Sequence, residues 1–83
     1  MDVAQVRSLV AQLGQLVPAL PPQIRDDVQP TVRKLEVELE RGKPDKGKLA
    51  QLLLSVRSSC EGAIGNLAAT GVVEGIKALL GGS

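Results

Sequence analysis

The chain contains no phenylalanine, tyrosine, tryptophan or histidine. Without aromatic rings its core must be assembled from Leu, Val, Ile and Ala, and the stacking platforms used to bind nucleic-acid bases are missing. Without His and Tyr the usual proton-transfer and nucleophile–base chemistries are largely removed, so an enzyme is not expected. Cys60 is the single cysteine. It excludes an internal disulfide and, lacking a histidine companion, any ordinary zinc set; no metal or cofactor is expected. At 83 residues the chain makes one domain, near the size where a single core is marginal. With no covalent or metal staple, idealised helix packing or self-association must supply the stability.

Charge is also scarce over long stretches. The formal net charge is +1, which argues against nucleic acid as a main partner. Most charged residues lie between Arg25 and Lys48; outside that span stand only Asp2, Arg7, Arg57, Glu61, Glu74 and Lys77. A free monomer normally coats its outward helix faces with charge, so two charge-poor flanks suggest surfaces covered on more than one side. Asp2 and Arg7 interrupt the first residues and no apolar signal-type stretch follows, which predicts a cytoplasmic protein.

What is present reads as three helical segments. In the first, about residues 2–17, Val3, Val6, Val10, Leu13, Val17 and Leu20 recur at alternating steps of three and four. Leu9 and Leu16 widen this stripe, while Gln5, Ser8, Gln12 and Gln15 face away, a pattern that suits a globular bundle better than a free coiled coil. Pro18 must end or kink the helix near Val17. The second segment, about residues 22–41, opens with Pro22 at a first helical position and places Ile24, Val28, Val32, Leu35 and Leu39 on one face. Pro30 predicts a kink or a restart there. Glu36, Glu38 and Glu40 alternate with apolar residues as in a strand, but the longer helical stripe wins.

"GKPDKGKL", Gly42 to Leu49, comes one residue short of a phosphate-binding loop. No strand precedes it, Leu49 stands where a magnesium-binding hydroxyl belongs, Pro44 lacks an amide and Asp45 would repel phosphate. Nucleotide is therefore not expected as a partner. Each residue has a turn-making role instead: Gly42 as a left-handed C-cap, Lys43-Pro44 to stop the chain, and Asp45 as the next N-cap.

The third segment, about residues 45–80, would be about 54 Å long as one helix, so a compact bundle needs it kinked. Leu49, Leu52, Leu53, Val56, Cys60, Ala63, Ile64 and Leu67 form one stripe, and Val72, Val73, Ile76, Leu79 and Leu80 continue it with shifted phase. Two places offer the break. One is Thr70-Gly71, with Thr70 as N-cap; the other is Gly62–Asn66, just after Ser58-x-x-Glu61, which matches a capping box. Residues 81–83 are read as a tail.

Other candidate sites have plain structural readings. Cys60 sits on the apolar stripe with no base beside it, as a buried thiol would. Asp26-Asp27 reads as a solvated first-turn pair, and Arg41, Lys43, Lys46 and Lys48 as a solvated basic turn. The pairs Ser58/Gly62, Gly65/Ala69 and Gly71/Gly75 repeat small-x-x-x-small, which lets helix backbones approach closely, either within the monomer or between chains. Residues 62–81 are long enough to span a membrane, but Glu74 and Lys77 together cost about 5–7 kcal/mol against about 2–4 kcal/mol returned by the aliphatics.

"LEVELERGKPDKGKLAQLLLSVRSSCEGAIGNLAATGVVEGIKALL", Leu35 to Leu80, resembles short α-helical accessory or effector-associated modules of bacterial conflict and phage-defence proteins. The resemblance rests on the Lys43-Pro44-Asp45 turn and on "EGAIGNLAATG", Glu61 to Gly71. It implies a cytosolic interaction module with no catalytic residues to carry over.

The expectation is thus an all-α bundle of three segments, the third long and kinked. It would be a non-catalytic interaction or self-assembly module, a homo-oligomer or a partner-helix binder through the charge-poor faces of helices 1 and 3. The candidate interface comprises Val3, Val6, Val10, Leu13, Val17, Gly62, Gly65, Ala69, Gly71, Gly75 and Leu79. The competing expectation is a membrane-active, pore-forming or membrane-associated small effector using the Gly-rich C-terminal helix.

Overall fold

Asp2 opens the first helix as the residue type predicts. Its extended backbone and side-chain Oδ1, which accepts the Ala4 amide at 2.9 Å, cap α1, Val3–Leu16. The computed structural model describes residues 2–63 and 65–81; Ile64, Gly82 and Ser83, named in the sequence reading, lie outside the described residues. Val6, Leu9, Val10 and Leu13 are buried, while Gln5, Ser8, Gln12 and Gln15 are exposed, matching the expected stripe. Pro18 has no N–H to continue the ladder, and the chain leaves α1 through a single 3-10 turn, Val17–Ala19.

Pro22 begins α2, Pro22–Leu39, at its first position. The helix runs through Pro30 without a restart. Pro30 is exposed and so is Asp26, one turn back. The carbonyl that loses its partner therefore lies on the solvent side, where water can satisfy it. Val28, Val32 and Leu35 anchor the opposite face. Asp26 and Asp27 fall in the second turn of α2, whose first turn carries no acid, so they gain little from the helix dipole.

The end of α2 corrects one expectation. Gly42 is not a left-handed cap; among the described residues only Gly65 has positive φ, at 89°. The helix closes at Glu40 through tightened bonds, Glu40 N–H to Val37 O at 3.2 Å and Arg41 N–H to Glu38 O at 3.2 Å. Arg7 of α1 donates from Nη2 to the Leu39 carbonyl at 3.1 Å. A terminal carbonyl of the kind a glycine cap satisfies is thus met from a neighbouring helix.

Asp45 caps α3, Lys46–Glu61, and its Oδ1 accepts the Lys48 amide at 3.2 Å. The third segment is not one kinked helix but two. It breaks completely at Gly62–Asn66 and resumes as α4, Leu67–Gly81. Gly65 takes the left-handed conformation that side chains disfavour, and Asn66 Oδ1 accepts the Ala69 amide at 2.9 Å. Asn66, not Thr70, is the N-cap; the Thr70 hydroxyl donates back to the Asn66 carbonyl at 3.0 Å. The Ser58/Glu61 capping box is not formed either, because both residues lie inside α3. There Glu61 pairs instead with Arg57, Nε to Oε1 at 3.0 Å, by proximity without a directed hydrogen bond.

Among the described residues the fold is all-α, with four helices and no strand. α1 packs against α2 and α4, α2 against α3, and α3 against α4, which closes a ring. Its centre is aliphatic: Leu13, Leu35, Leu49, Leu53 and Ile76 are the largest fully buried side chains. Among the described residues no helix is long and apolar enough to cross a membrane. The break at Gly62–Asn66 divides the stretch read as a potential span, leaving α4 with 15 residues against the roughly 20 a spanning helix needs.

Candidate functional surfaces

The first feature built by the sequence is a buried carboxylate. Glu38 lies three residues after Leu35 on the inward side of α2 and is 2% exposed. Its Oε2 accepts the Asp45 amide at 3.0 Å. Its Oε1 lies 3.5 Å from Arg41 Nη1 and 3.5 Å from Lys48 Nζ. The cover is thin, since the side chains of Arg41 and Lys48 are themselves 62% and 56% exposed. The hydrogen bond donated by the Asp45 amide holds the Glu38 carboxyl below its usual range; the two cations add to this, against the opposing effect of burial. Glu38 therefore ties the end of α2 to the start of α3. The turn that mimics a phosphate loop has the Asp45 and Lys48 amides, and the Lys48 ammonium, held by the chain's own carboxylates.

Around this anchor the C-terminal half of α2 and its cap sort their charges by side. Glu36 and Glu40 line a groove of about 360 Å³ against α1, where Arg7, Ala11 and Gly14 face them. Arg33 and Lys34 line a second groove, of about 590 Å³, against α3, with Val37, Lys48, Gln51 and Leu52. Val37 is 64% exposed and Leu52 is half-buried.

A third groove, of about 320 Å³, separates α1 from α4. Gln5, Ser8, Gln12, Gly75, Ala78 and Leu79 line it over Leu9, with no charged side chain among them. It is an uncharged strip of surface between the two helices.

The expected interface residues divide sharply. Val6, Val10, Leu13, Val17 and Ala69 are buried in the monomer core, and Val3 is half-buried against it. Their stripe packs helix on helix within one chain, so it offers no free surface to a partner. Gly62, Gly65 and Gly71 are exposed, while Gly75 and Leu79 are half-buried. The paired glycines do different things. A Cβ at Gly75 would meet Leu9 Cδ1 at 3.1 Å, whereas one at Gly71 would meet nothing within 4 Å. Gly75 thus serves the approach of α4 to α1 inside the monomer.

Cys60 is buried, and burial pushes its thiol upward, away from the thiolate. Among the described residues no group of three or more His, Cys, Asp or Glu side chains could hold a metal ion. Sequence reasoning missed Glu38, which it treated as one of three alternating acids. The signal was available: an acid flanking the α2 stripe, followed by Arg41 and Lys48 within reach across a short turn. No family model matches the chain, nor does any curated protein or solved structure.

Proposed function

We propose that the protein is a non-catalytic, cytoplasmic interaction module that self-associates through its α1–α4 face. The observation that carries this reading is the groove between Gln5, Ser8 and Gln12 on one side and Gly75, Ala78 and Leu79 on the other, without a charge in its lining. Burying charge is costly unless every ion finds a partner, and the centres of protein interfaces are depleted of it. Gln5 and Gln12, one heptad apart on α1, supply donors and acceptors that two copies can exchange. A standard interface of about 800 Å² per partner would cover about a sixth of the 5055 Å² surface. The face comes from two helices already braced against each other by the Gly75–Leu9 contact, so little ordering accompanies association. The resemblance of Leu35–Leu80 to accessory modules of bacterial conflict proteins points to the same class.

Light scattering with sedimentation velocity tests the reading. The wild-type chain should pass from monomer toward a dimer or larger between about 10 μM and 1 mM. Ser8→Arg and Ala78→Arg, both at exposed positions, should yield folded monomers because each puts a bulky cationic side chain into the groove. A wild type that stays monomeric up to millimolar concentration contradicts it.

A further inference from the structure

The α2–α3 groove shares neither a helix nor a residue with the α1–α4 face. Its lining sets the largely exposed Val37 and the half-buried Leu52 beside a rim of cations, Arg33, Lys34 and the Glu38-paired Lys48. No carboxylate stands on that rim: Glu36 and Glu40 turn to the α1 side of α2, and Glu38 lies buried beneath. Among the described residues neither Arg33 nor Lys34 makes an ion pair. An exposed valine flanked by two cations without an ion pair is an arrangement with one side missing.

We infer that this groove docks an acidic amphipathic helix of a partner protein. Charge complementarity sets the sign: carboxylates flanking the partner's apolar stripe would meet Arg33 and Lys34 while its aliphatic side chains cover Val37 and Leu52. The walls set the form. Both are α-helices whose backbone groups are bonded internally, so they offer no edge to which an extended strand could add. A helix arrives with its own backbone satisfied and needs only side-chain contacts. The lining residues on each wall, Arg33 to Val37 and Lys48 to Leu52, span about 6 Å of helix axis, so about one turn of partner helix makes the central contact.

The test uses the full chain and a fluorescently labelled synthetic peptide, with Leu at i, i+3, i+4 and i+7 and Glu at the flanking positions, read by anisotropy. A peptide with Lys replacing Glu is the charge-reversed control, and mixed phosphatidylserine–phosphatidylcholine vesicles are the lipid control. The acidic peptide should bind and the reversed one should not. Arg33→Glu combined with Lys34→Glu should weaken binding at least ~10-fold, and raising salt from about 50 to about 300 mM should also weaken it. Val37→Asp should abolish binding while circular dichroism stays unchanged, since the residue is largely exposed. Ser8→Arg, on the other face, should leave peptide binding unaffected, so this inference and self-association fail independently. No binding of the acidic peptide, equal binding of both peptides, or binding of vesicles without peptide would overturn the proposal.

Discussion

Two glycines four residues apart on α4 should respond to substitution in opposite ways. Gly71 is exposed, and an added Cβ meets nothing within 4 Å. Gly71→Ala should therefore collect most of the helix-propensity difference, about 1 kcal/mol, and raise the melting temperature by about 4–8 °C. Gly71→Leu should behave similarly. At Gly75 the same Cβ stands 3.1 Å from Leu9 Cδ1, a contact that forces Leu9 to shift. Because that atom is the end of a side chain, Gly75→Ala should be near neutral, the propensity gain offset by crowding. Gly75→Leu adds three further carbons against Leu9; overpacking of about 1–3 kcal/mol should outweigh the gain of about 1 kcal/mol. In a Leu9→Ala background there is room for the new side chain, and the double-mutant cycle should show coupling of about 1 kcal/mol or more. Urea melts at low micromolar concentration keep any association out of the comparison. Stabilisation by Gly75→Leu equal to that by Gly71→Leu, with no coupling to Leu9, would refute the assigned α1–α4 contact.

Glu38 should make stability depend on acidity. Its carboxyl titrates below the ordinary 4.5 in the folded chain, so its contribution is complete above that value and is lost as pH falls through the lowered one. Glu38→Gln should lower the urea midpoint at pH 7, and the effect should shrink as pH falls below 4.5; an effect independent of pH would show that the charge is irrelevant. Leu13→Ala, at a site with 0% exposure, should cost about 2–5 kcal/mol, and a loss below about 0.5 kcal/mol would remove Leu13 from the core. Cys60 should stay unreactive to a thiol reagent in the native state and react fully in urea, because burial disfavours its thiolate; rapid native labelling would contradict its burial. Lys48 is held by Glu38, and calorimetry should detect no ATP binding to the wild-type chain; micromolar binding that vanishes in Lys48→Ala would reverse that conclusion.

The periodic spacing of aliphatic residues made the helices and most of the core legible. The α1 stripe, the Pro18 stop and the Asp45 cap needed only local rules. The break in the third segment was visible as two options, and local chemistry decided between them: Gly65 at positive φ and Asn66 as cap outcompeted Thr70. What stayed hidden depended on contacts distant in sequence. The Arg7–Leu39 bond, between residues 32 apart, removes the need for a glycine cap at Gly42, and no window of α2 contains that information. The same holds for the glycines, whose different roles come from where Leu9 lies. The candidate interface was overdrawn for a related reason. An apolar stripe and a charge-poor face look alike in one dimension, yet the structure buries the first and exposes the second.

Concentration-dependent amide chemical shifts test self-association most directly. Between about 10 μM and 1 mM, a range that brackets ordinary weak association, the shifts should move at Gln5, Ser8, Gln12, Gly75, Ala78 and Leu79 and stay fixed at Val37, Gln51 and Leu52. Spectra independent of concentration, or changes confined to the α2–α3 groove, would contradict self-association through the α1–α4 face.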